Sequence, residues 1–286
     1  MLGFNGGLIG KDRTSSLSGA VGVWTLSEQV KAKRNNLWTN AFDPDAFAYI
    51  TAVEVNDGNQ TLEDGVRTAI NTFVVGCKSD GIWSAIKASC ILAGARTLAG
   101  ALTPLVGTAP TNVSGNLTSG DYNRKTGVNG GSGKSIRTNR NNNADPQNSN
   151  HNAIYATTEV VVDGAWLGVV ANFGATGTNN MGDYNRLFQD SPYFRNRNSS
   201  GSVRPGNEVT ATGLIAMERR EASSFTTRLV GLNNSHDKTS QTPHNGIIDI
   251  LLGSRTAFYS IGESLDLALL DTRVTTLINA IAEAIP

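Results

Sequence analysis

Histidine and cysteine, the side chains that most often hold metals or act as nucleophiles, are scarce in this chain. His151, His236 and His244 stand in polar stretches, and the last two fit no common zinc spacing. We therefore interpret the histidines as surface residues. Cys77 and Cys90 lie in apolar text with a helical period, so we interpret them as buried thiols and not as a disulfide.

Phosphate-binding and serine-nucleophile motifs are not complete in this sequence. Gly133, Lys134 and Ser135 resemble the end of a phosphate-binding loop, but the pattern requires glycine five places before Gly133, where Val128 stands. No G-x-S-x-G sequence, the frame of a hydrolase nucleophile, occurs either. Both interpretations are rejected.

Acidic residues offer general acid–base chemistry only when two of them flank a cleft. The candidates are Glu159, Asp163, Glu218 and Glu221. Nothing in the sequence places two of these carboxylates face to face, so a polysaccharide depolymerase has no support. We interpret the run ERRE at 218–221 as solvated charge pairs at the end of a strand.

Asp43, Asp45 and Asp145, with neighbouring asparagines, carry the oxygen ligands that calcium prefers. However, no twelve-residue calcium loop occurs around them. The sequence therefore predicts no enzyme, no catalytic residue, no metal site and no cofactor.

Four aromatic residues lie among asparagines and aspartates, the combination that stacks on sugars and binds their hydroxyl groups. They are Tyr122, Tyr184, Tyr193 and Phe194. We name them as candidate ligand-binding residues. The alternative, that they are buried aromatics at the edge of a sheet, stays open.

Residues 1–42 are predicted to form an extended arm with a short helix, because repeated glycines disfavour regular structure at its start. The arm carries the large apolar residues Trp24, Leu26, Leu37, Trp38 and Phe42. An arm is too short to build a core, so these side chains must dock on the parent domain, on a sister chain or on another protein. We predict them as the anchoring residues.

Two further regions have a helical period. Within 61–106, apolar residues recur at three- and four-residue steps up to Cys77, Asp80 and Gly81 interrupt them, and a second apolar run covers 82–91. This predicts a helical hairpin. A last helix follows Ser264, and its apolar stripe either covers the rest of the domain or pairs with its copies in an oligomer.

From residue 152 the sequence consists of short runs rich in valine, isoleucine, threonine and aromatics, separated by glycine, asparagine and aspartate. The predicted strands are 153–162, 166–173, 209–217, 224–229 and 247–252. Strands without helices between them predict an antiparallel β-sandwich. The predicted fold is α+β and mostly β, with an arm at 1–42, a helical segment at 43–110 and a sandwich with a C-terminal helix at 111–286.

Composition excludes several classes of partner. The formal net charge is zero, so attraction to nucleic acid is not expected. No run of eighteen apolar residues is present, so membrane insertion is not expected, and the N-terminus has no signal-peptide pattern. Low charge with abundant glycine suits a β-rich, assembly-forming protein.

Residues 138–152 contain seven asparagines and almost nothing apolar. Such a segment is either a mobile surface loop or a loop held by hydrogen bonds from side chains to backbone. We favour the ordered loop, and we place it at the seam between the helical hairpin and the β-domain. We do not expect a sugar site there.

Several stretches resemble a family of tailed-bacteriophage virion proteins. The arm contains a leader core of the form G-[VI]-W-[ST]-L-x-E-Q, which reads GVWTLSEQ at 22–29. The segment at 69–112, GDYNRKTG at 120–127, NNNADPQNSNH at 141–151 and FYSIGESLDLALLD at 258–271 are similar to other segments of that family. Residues 175–243 carry no such likeness.

The resemblance implies a concanavalin-like or jelly-roll sandwich, no cofactor and a location in the virion. The implied function is that of a non-enzymatic structural protein of a tail fibre, head fibre or host-attachment part, anchored by its arm. Capsid decoration and a glycan-binding, receptor-recognition module are the alternatives. The expected partners are further copies, as a homotrimer from the usual symmetry of phage appendages, other virion proteins and a host surface glycan.

Overall fold

The computed structural model describes residues 14–16, 19–21, 25, 27, 30, 42–114, 117–129, 133–158, 164–169, 172, 175–183, 192–199, 201–205, 212–251 and 253–286. A short hairpin, β1 (Thr14–Ser16) and β2 (Gly19–Val21), belongs to the N-terminal arm. The rest of the described chain forms three layers: helices, a nine-stranded sheet and a six-stranded sheet.

The nine-stranded sheet is the middle layer, and its recorded pairings are antiparallel. Its main path, in spatial order, is β15 (Leu232–Asp237), β14 (Ser224–Leu229), β13 (Gly213–Arg219), β9 (Asn150–Ala156), β17 (Thr256–Gly262), β3 (Ile86–Ile91) and β4 (Pro104–Val106). Two short strands, β6 (Tyr122–Asn123) and β7 (Gly127–Val128), join it through β17.

The six-stranded sheet covers one face of the middle layer and is also antiparallel in its recorded pairings. Its strands in spatial order are β12 (Tyr193–Asn196), β11 (Asn179–Asp183), β10 (Gly164–Gly168), β16 (Ile247–Leu251), β8 (Ser135–Asn141) and β5 (Thr111–Ser114). The predicted α+β, mostly β fold with a sandwich and a C-terminal helix is confirmed.

Helices cover the other face of the middle sheet. They are α1 (Pro44–Asn56), α2 (Asp64–Ser79), a single turn α3 (Leu98–Ala101) and α4 (Leu267–Ala284). Asp43 starts α1 by accepting a hydrogen bond from the amide of Asp45, and Pro44 takes the first position, where its missing N–H costs nothing. Asp266 caps α4 through the amides of Ala268 and Leu269.

Successive side chains of each strand in the middle sheet point to opposite faces, so each strand contributes to two separate cores. In β9, Ala153 and Tyr155 join the core beneath the helices, while Ile154 and Ala156 join the core between the sheets. Phe73 of α2 meets Phe258 of β17 edge to face, with 5.6 Å between the ring centroids. Both faces of the middle sheet are therefore buried, and each fully buried aliphatic or aromatic side chain contributes about 1.5–3 kcal/mol.

The C-terminal helix takes the first of its two predicted roles. Its apolar stripe is buried on α2 and on β13. Arg228 of β14 donates from Nε to Asp271 at 2.7 Å and fixes the helix to the sheet. The stripe is thus used within the chain and is not left for a coiled coil.

The prediction of a second helix of the hairpin at 82–91 is wrong. Residues 86–91 form β3, paired with β17 and β4 in the middle sheet. Both faces of that position are buried, and a strand buried on both faces reads as a continuous apolar run, which periodicity does not distinguish from a buried helix. The middle sheet is consequently shared between the predicted segments 43–110 and 111–286.

The hairpin joining β14 to β15 contains a strained residue. Val230 and Gly231 link the paired residues Leu229 and Leu232, and both have positive φ, 49° and 75°. That two-residue turn suits Asn-Gly, whereas a β-branched side chain with φ above zero is strained. Val230 is 47% exposed, so burial does not compensate for the strain.

We therefore expect Val230→Asn to raise the free energy of unfolding by about 1 kcal/mol, because asparagine tolerates the left-handed conformation. Urea denaturation measures the change. Val55→Asn is the matched control, since Val55 is also exposed but lies in ordinary helical backbone. Equal effects of the two substitutions would contradict the strain at Val230.

Candidate functional site

The asparagine-rich tract at 138–152 is an ordered connection between the two sheets. It comprises the end of β8, a turn and the start of β9. Asn142 is fully buried, and its amide nitrogen donates to the carbonyls of Gly177 at 2.8 Å and His244 at 3.1 Å. The tract is thus held by side-chain-to-backbone hydrogen bonds. It joins sheet to sheet, however, and not the helices to the sandwich as predicted.

Arg197 stabilises the turn of this tract by hydrogen bonds to its backbone. Its guanidinium donates to the carbonyls of Asn142, Asp145 and Pro146, the last at 2.6 Å. The side chain is 1% exposed, and burial lowers its pKa to about 10, so it remains a cation at neutral pH. A planar fork of five donors suits this role, because it reaches several carbonyls at once.

Arg219, in β13, makes a second carbonyl-bound cation beside the first. It donates to the carbonyls of Asn196 at 2.8 Å, Ser224 at 2.8 Å and Lys238 at 2.9 Å. Its guanidinium also lies over the ring of Phe225, 5.5 Å from the centroid. The prediction that residues 218–221 (ERRE) are solvated is therefore wrong for two of them. Arg219 is fully buried, and Glu218 is 6% exposed and paired with Arg220 at 2.8 Å.

His151 also departs from its predicted surface position. It is fully buried in β9, with Nδ1 2.5 Å from the carbonyl of Glu263 and Nε2 2.7 Å from the hydroxyl of Ser260. Because a carbonyl only accepts, Nδ1 carries the proton and Nε2 accepts from Ser260. Burial lowers the pKa of His151 to about 4, so the ring is neutral at physiological pH.

An open polar groove lies at the tract, where β8 of one sheet passes β3 of the other and the connection from β4 to β5. Its volume is about 320 Å³, at the lower end of the range for small-molecule pockets. We call it the junction groove, and its polar lining comes from Lys87, Gly107, Thr108, Asn139, Arg140 and Asn141.

Both cations of the junction groove have carboxylate partners. Lys87 lies 3.0 Å from Glu263. Arg140 binds the buried Asp145 through two nitrogens, with Nε at 3.0 Å. The groove is therefore polar without a strong net charge.

A second groove, of about 520 Å³, runs between α2 and α4 and is largely apolar. The helices approach closely at one end because Gly65 has no side chain, and a Cβ there would lie 2.6 Å from the Cβ of Ala284. Phe73, Leu277 and Ala280 contribute to its lining.

Three of the four aromatic residues predicted to bind a ligand are described, and they are buried or partly buried. Phe194 is fully buried between the sheets and Tyr193 is 9% exposed, so neither presents a ring face to solvent. Tyr122 is partly buried, and its hydroxyl donates to the carbonyl of Ala95 at 2.7 Å. Tyr184 lies outside the described residues. For the three described rings, the structure favours the buried alternative.

Among the predicted anchoring residues, Phe42 is described and docks on its own domain. It packs against the helical core and lies under Arg67 of α2, with 5.5 Å between the guanidinium carbon and the ring centroid. Trp24, Leu26, Leu37 and Trp38 lie outside the described residues.

The residues considered for metal binding make contacts within the protein. Asp43 and Asp45 both bind Lys78, at 2.6 and 2.7 Å. Within the described residues, no three histidine, cysteine or acidic side chains cluster in a way that suits a metal ion. Cys77 and Cys90 are free and buried, as predicted. No described helix is long and apolar enough to span a membrane.

No protein-family model matches the chain, and no curated protein matches its sequence. Solved structures give distant matches. The botulinum neurotoxin serotype D binding domain is 8% identical with a TM-score of 0.43, over 70% of this chain and 52% of that one. The botulinum neurotoxin type G receptor binding domain is 9% identical with a TM-score of 0.38, over 68% and 51%.

A third match is the binding domain of Paraclostridial Mosquitocidal Protein 1, 12% identical with a TM-score of 0.31, over 54% of this chain and 45% of that one. The chain thus spans about half the length of these structures. At such identities and superpositions, the likeness carries no information on function or ligand.

Because the unfolded chain protonates His151 near pH 6.5 and the folded chain only near pH 4, we expect acid to destabilise the fold. Between these values the free energy of unfolding falls by about 1.4 kcal/mol for each unit of decreasing pH through this residue. Urea denaturation at several pH values tests this. His151→Gln is less stable at pH 7 but loses less on acidification, and parallel curves for the two proteins would contradict the assignment.

Replacing Arg197 should loosen the tract. A lysine offers one ammonium in place of the planar fork, so Arg197→Lys leaves buried carbonyls unpaired and lowers the free energy of unfolding by about 3 kcal/mol. Arg220→Lys, at a mostly exposed arginine, is the control and should change it by less than about 0.5 kcal/mol. Equal losses would show that Arg197 does not hold the turn.

Proposed function

We propose that the chain is a non-enzymatic structural protein of a phage virion, anchored by its N-terminal arm and displaying the β-sandwich as a fibre or host-attachment component. The leader core GVWTLSEQ at 22–29 and the further family-like segments support this proposal. The anchoring side chains are Trp24, Leu26, Leu37 and Trp38, with Phe42 fixing the base of the arm to the domain.

The observation that carries the proposal is that the body after the arm has hydrophobic cores of its own. From Ala46 to Ile285 the described residues already supply two contiguous hydrophobic cores. Phe42 closes the edge of the helical core, immediately before α1. A body with its own cores is expected to fold without the preceding residues, which leaves the apolar arm for a second task.

The non-enzymatic part of the proposal is supported by how the chemically capable side chains are used. His151 holds the backbone at Glu263. Asp145 neutralises Arg140, and Glu218 binds Arg220. The thiols of Cys77 and Cys90 are buried, and burial raises the pKa of Cys77 to about 12. Each of these groups has a structural role.

We further propose that the protein acts in the virion as a homo-oligomer, with a trimer as the expected state, in contact with other virion proteins. The α4 stripe is used within the chain, so the contacts between copies would come from the arm and the sandwich. The neutral net charge agrees with assembly on a protein surface and not on nucleic acid. A capsid decoration protein is the second candidate within the same class.

The arm is expected to be necessary for assembly and dispensable for folding. A chain lacking residues 1–38 keeps the thermal unfolding midpoint of the body but enters particles at least tenfold less than the full chain. Quantitative immunoblots of purified virions measure incorporation, and Val55→Ala, at an exposed position of the body, is the control.

A truncated protein that enters particles normally, with the full chain a stable monomer in solution, would overturn the proposal. Labelling the protein on intact virions distinguishes the two candidate roles. Signal over the head favours capsid decoration, and signal at the tail tip favours host attachment.

A further inference from the structure

We propose that the junction groove is a binding site for a neutral sugar unit, recognised through its hydroxyl groups. The inference depends on residues from two distant parts of the chain, 87–108 and 138–144, which the sandwich brings together. It places the ligand beside the asparagine-rich tract and away from the aromatic residues that the sequence suggested.

The walls of the groove are fixed before any ligand arrives. Gly107 has φ +85°, and a Cβ there would lie 2.5 Å from the carbonyl oxygen of Lys87, so only glycine fits. Asn139 has φ 57° and donates from its amide nitrogen to the carbonyl of Ala109 and the hydroxyl of Thr111, both at 2.8 Å. Non-glycine residues with positive φ are uncommon in proteins as a whole, and those that occur are concentrated at binding sites.

Several polar atoms at the groove are available to a ligand. Within the described residues, no hydrogen bond involves the side-chain amide of Asn141 or the hydroxyl of Thr108, and both residues are exposed. Asn139 uses only its nitrogen, which leaves its oxygen to accept. Arg140 uses two of its three nitrogens on Asp145 and keeps the third. Amides and hydroxyls that both donate and accept match the hydroxyl groups of a sugar ring.

The charges favour a neutral ligand over an anion. Lys87 and Arg140 would attract a phosphate, sulfate or carboxylate only if they were unpaired. Glu263 lies 3.0 Å from Lys87, and Asp145 binds Arg140 through two hydrogen bonds. These partners already neutralise the two cations, so an anion gains little from them, whereas a hydroxyl group can bind amide and guanidinium alike.

A role of this site in binding a host polysaccharide rests on the proposed function, because only a protein displayed on a particle would use the site for attachment. The binding itself does not rest on it. The junction groove lies in the described body from residue 42 onward, so sugar binding and particle incorporation are measured independently.

The test is a titration of the full, isotope-labelled chain followed by amide NMR shifts. The probes are methyl glycosides of glucose, galactose, mannose, rhamnose and N-acetylglucosamine, with glucuronate and inorganic sulfate as anionic probes. The variants are Asn141→Ala, which removes an available amide, and Ala144→Trp, which fills the groove from an exposed position. Asn143→Ala is the matched control, an exposed asparagine of the same turn outside the lining.

We expect at least one neutral glycoside to shift the amides of Thr108 and residues 139–141 saturably. The affinity falls at least tenfold in Asn141→Ala and Ala144→Trp, is unchanged in Asn143→Ala, and does not depend on salt between 50 and 300 mM. Shifts elsewhere, binding of the anionic probes alone with strong salt dependence, or no shift with any neutral glycoside would overturn the proposal. Failure here with normal particle incorporation would leave the proposed virion role intact.

Discussion

The burial of the middle sheet on both faces is the constraint on which the rest of this structure depends. Helices cover one face and the six-stranded sheet covers the other, so β9 and β17 are buried along their whole lengths. A backbone in such a place must satisfy its hydrogen bonds within the sheet, and the recorded pairings do so. Where the chain leaves the sheet, however, carbonyls point into a dry region and need other donors.

The two buried arginines meet that need. Arg197 binds carbonyls in the turn between β8 and β9, and Arg219 binds carbonyls around the ends of β13 and β14. Carbonyl dipoles bind both buried cations directly, and the nearby carboxylates of Asp145 and Glu221 also favour the charged forms of Arg197 and Arg219, respectively. Asn139 and Asn142 add hydrogen bonds to backbone carbonyls, so part of the tract's polarity is a consequence of joining two sheets across a core.

The sequence predicted those elements whose period was unambiguous. The strand at 224–229 has the predicted bounds, and the apolar stripes of α2 and α4 are buried as expected, except for the exposed Leu269 of α4. The strand at 86–91 was mistaken for a helix because both of its faces are buried. Helix α1 lies in the predicted helical segment at 43–110, but its bounds were not assigned, because Phe47 and Val55 on its exposed side are also apolar and hide the period.

Side-chain environments were harder to predict than elements. His151 and Arg219 look polar in sequence, yet the fold buries both, because burial depends on which strands become central. The junction groove joins residues some thirty positions or more apart, and its only local signal was the density of asparagine. Local patterns cannot indicate a site whose walls come from two sheets.

The two cysteines have a practical consequence for experiments on this protein. Cys90 donates from Sγ to the carbonyls of Ala101 and Thr103, and burial raises the pKa of both thiols, so the reactive thiolate is scarce at neutral pH. Maleimides and mild oxidants should therefore spare the native chain. A cysteine introduced on the surface would be the single reactive thiol, and a fluorophore or gold cluster could be attached there without first replacing a core residue.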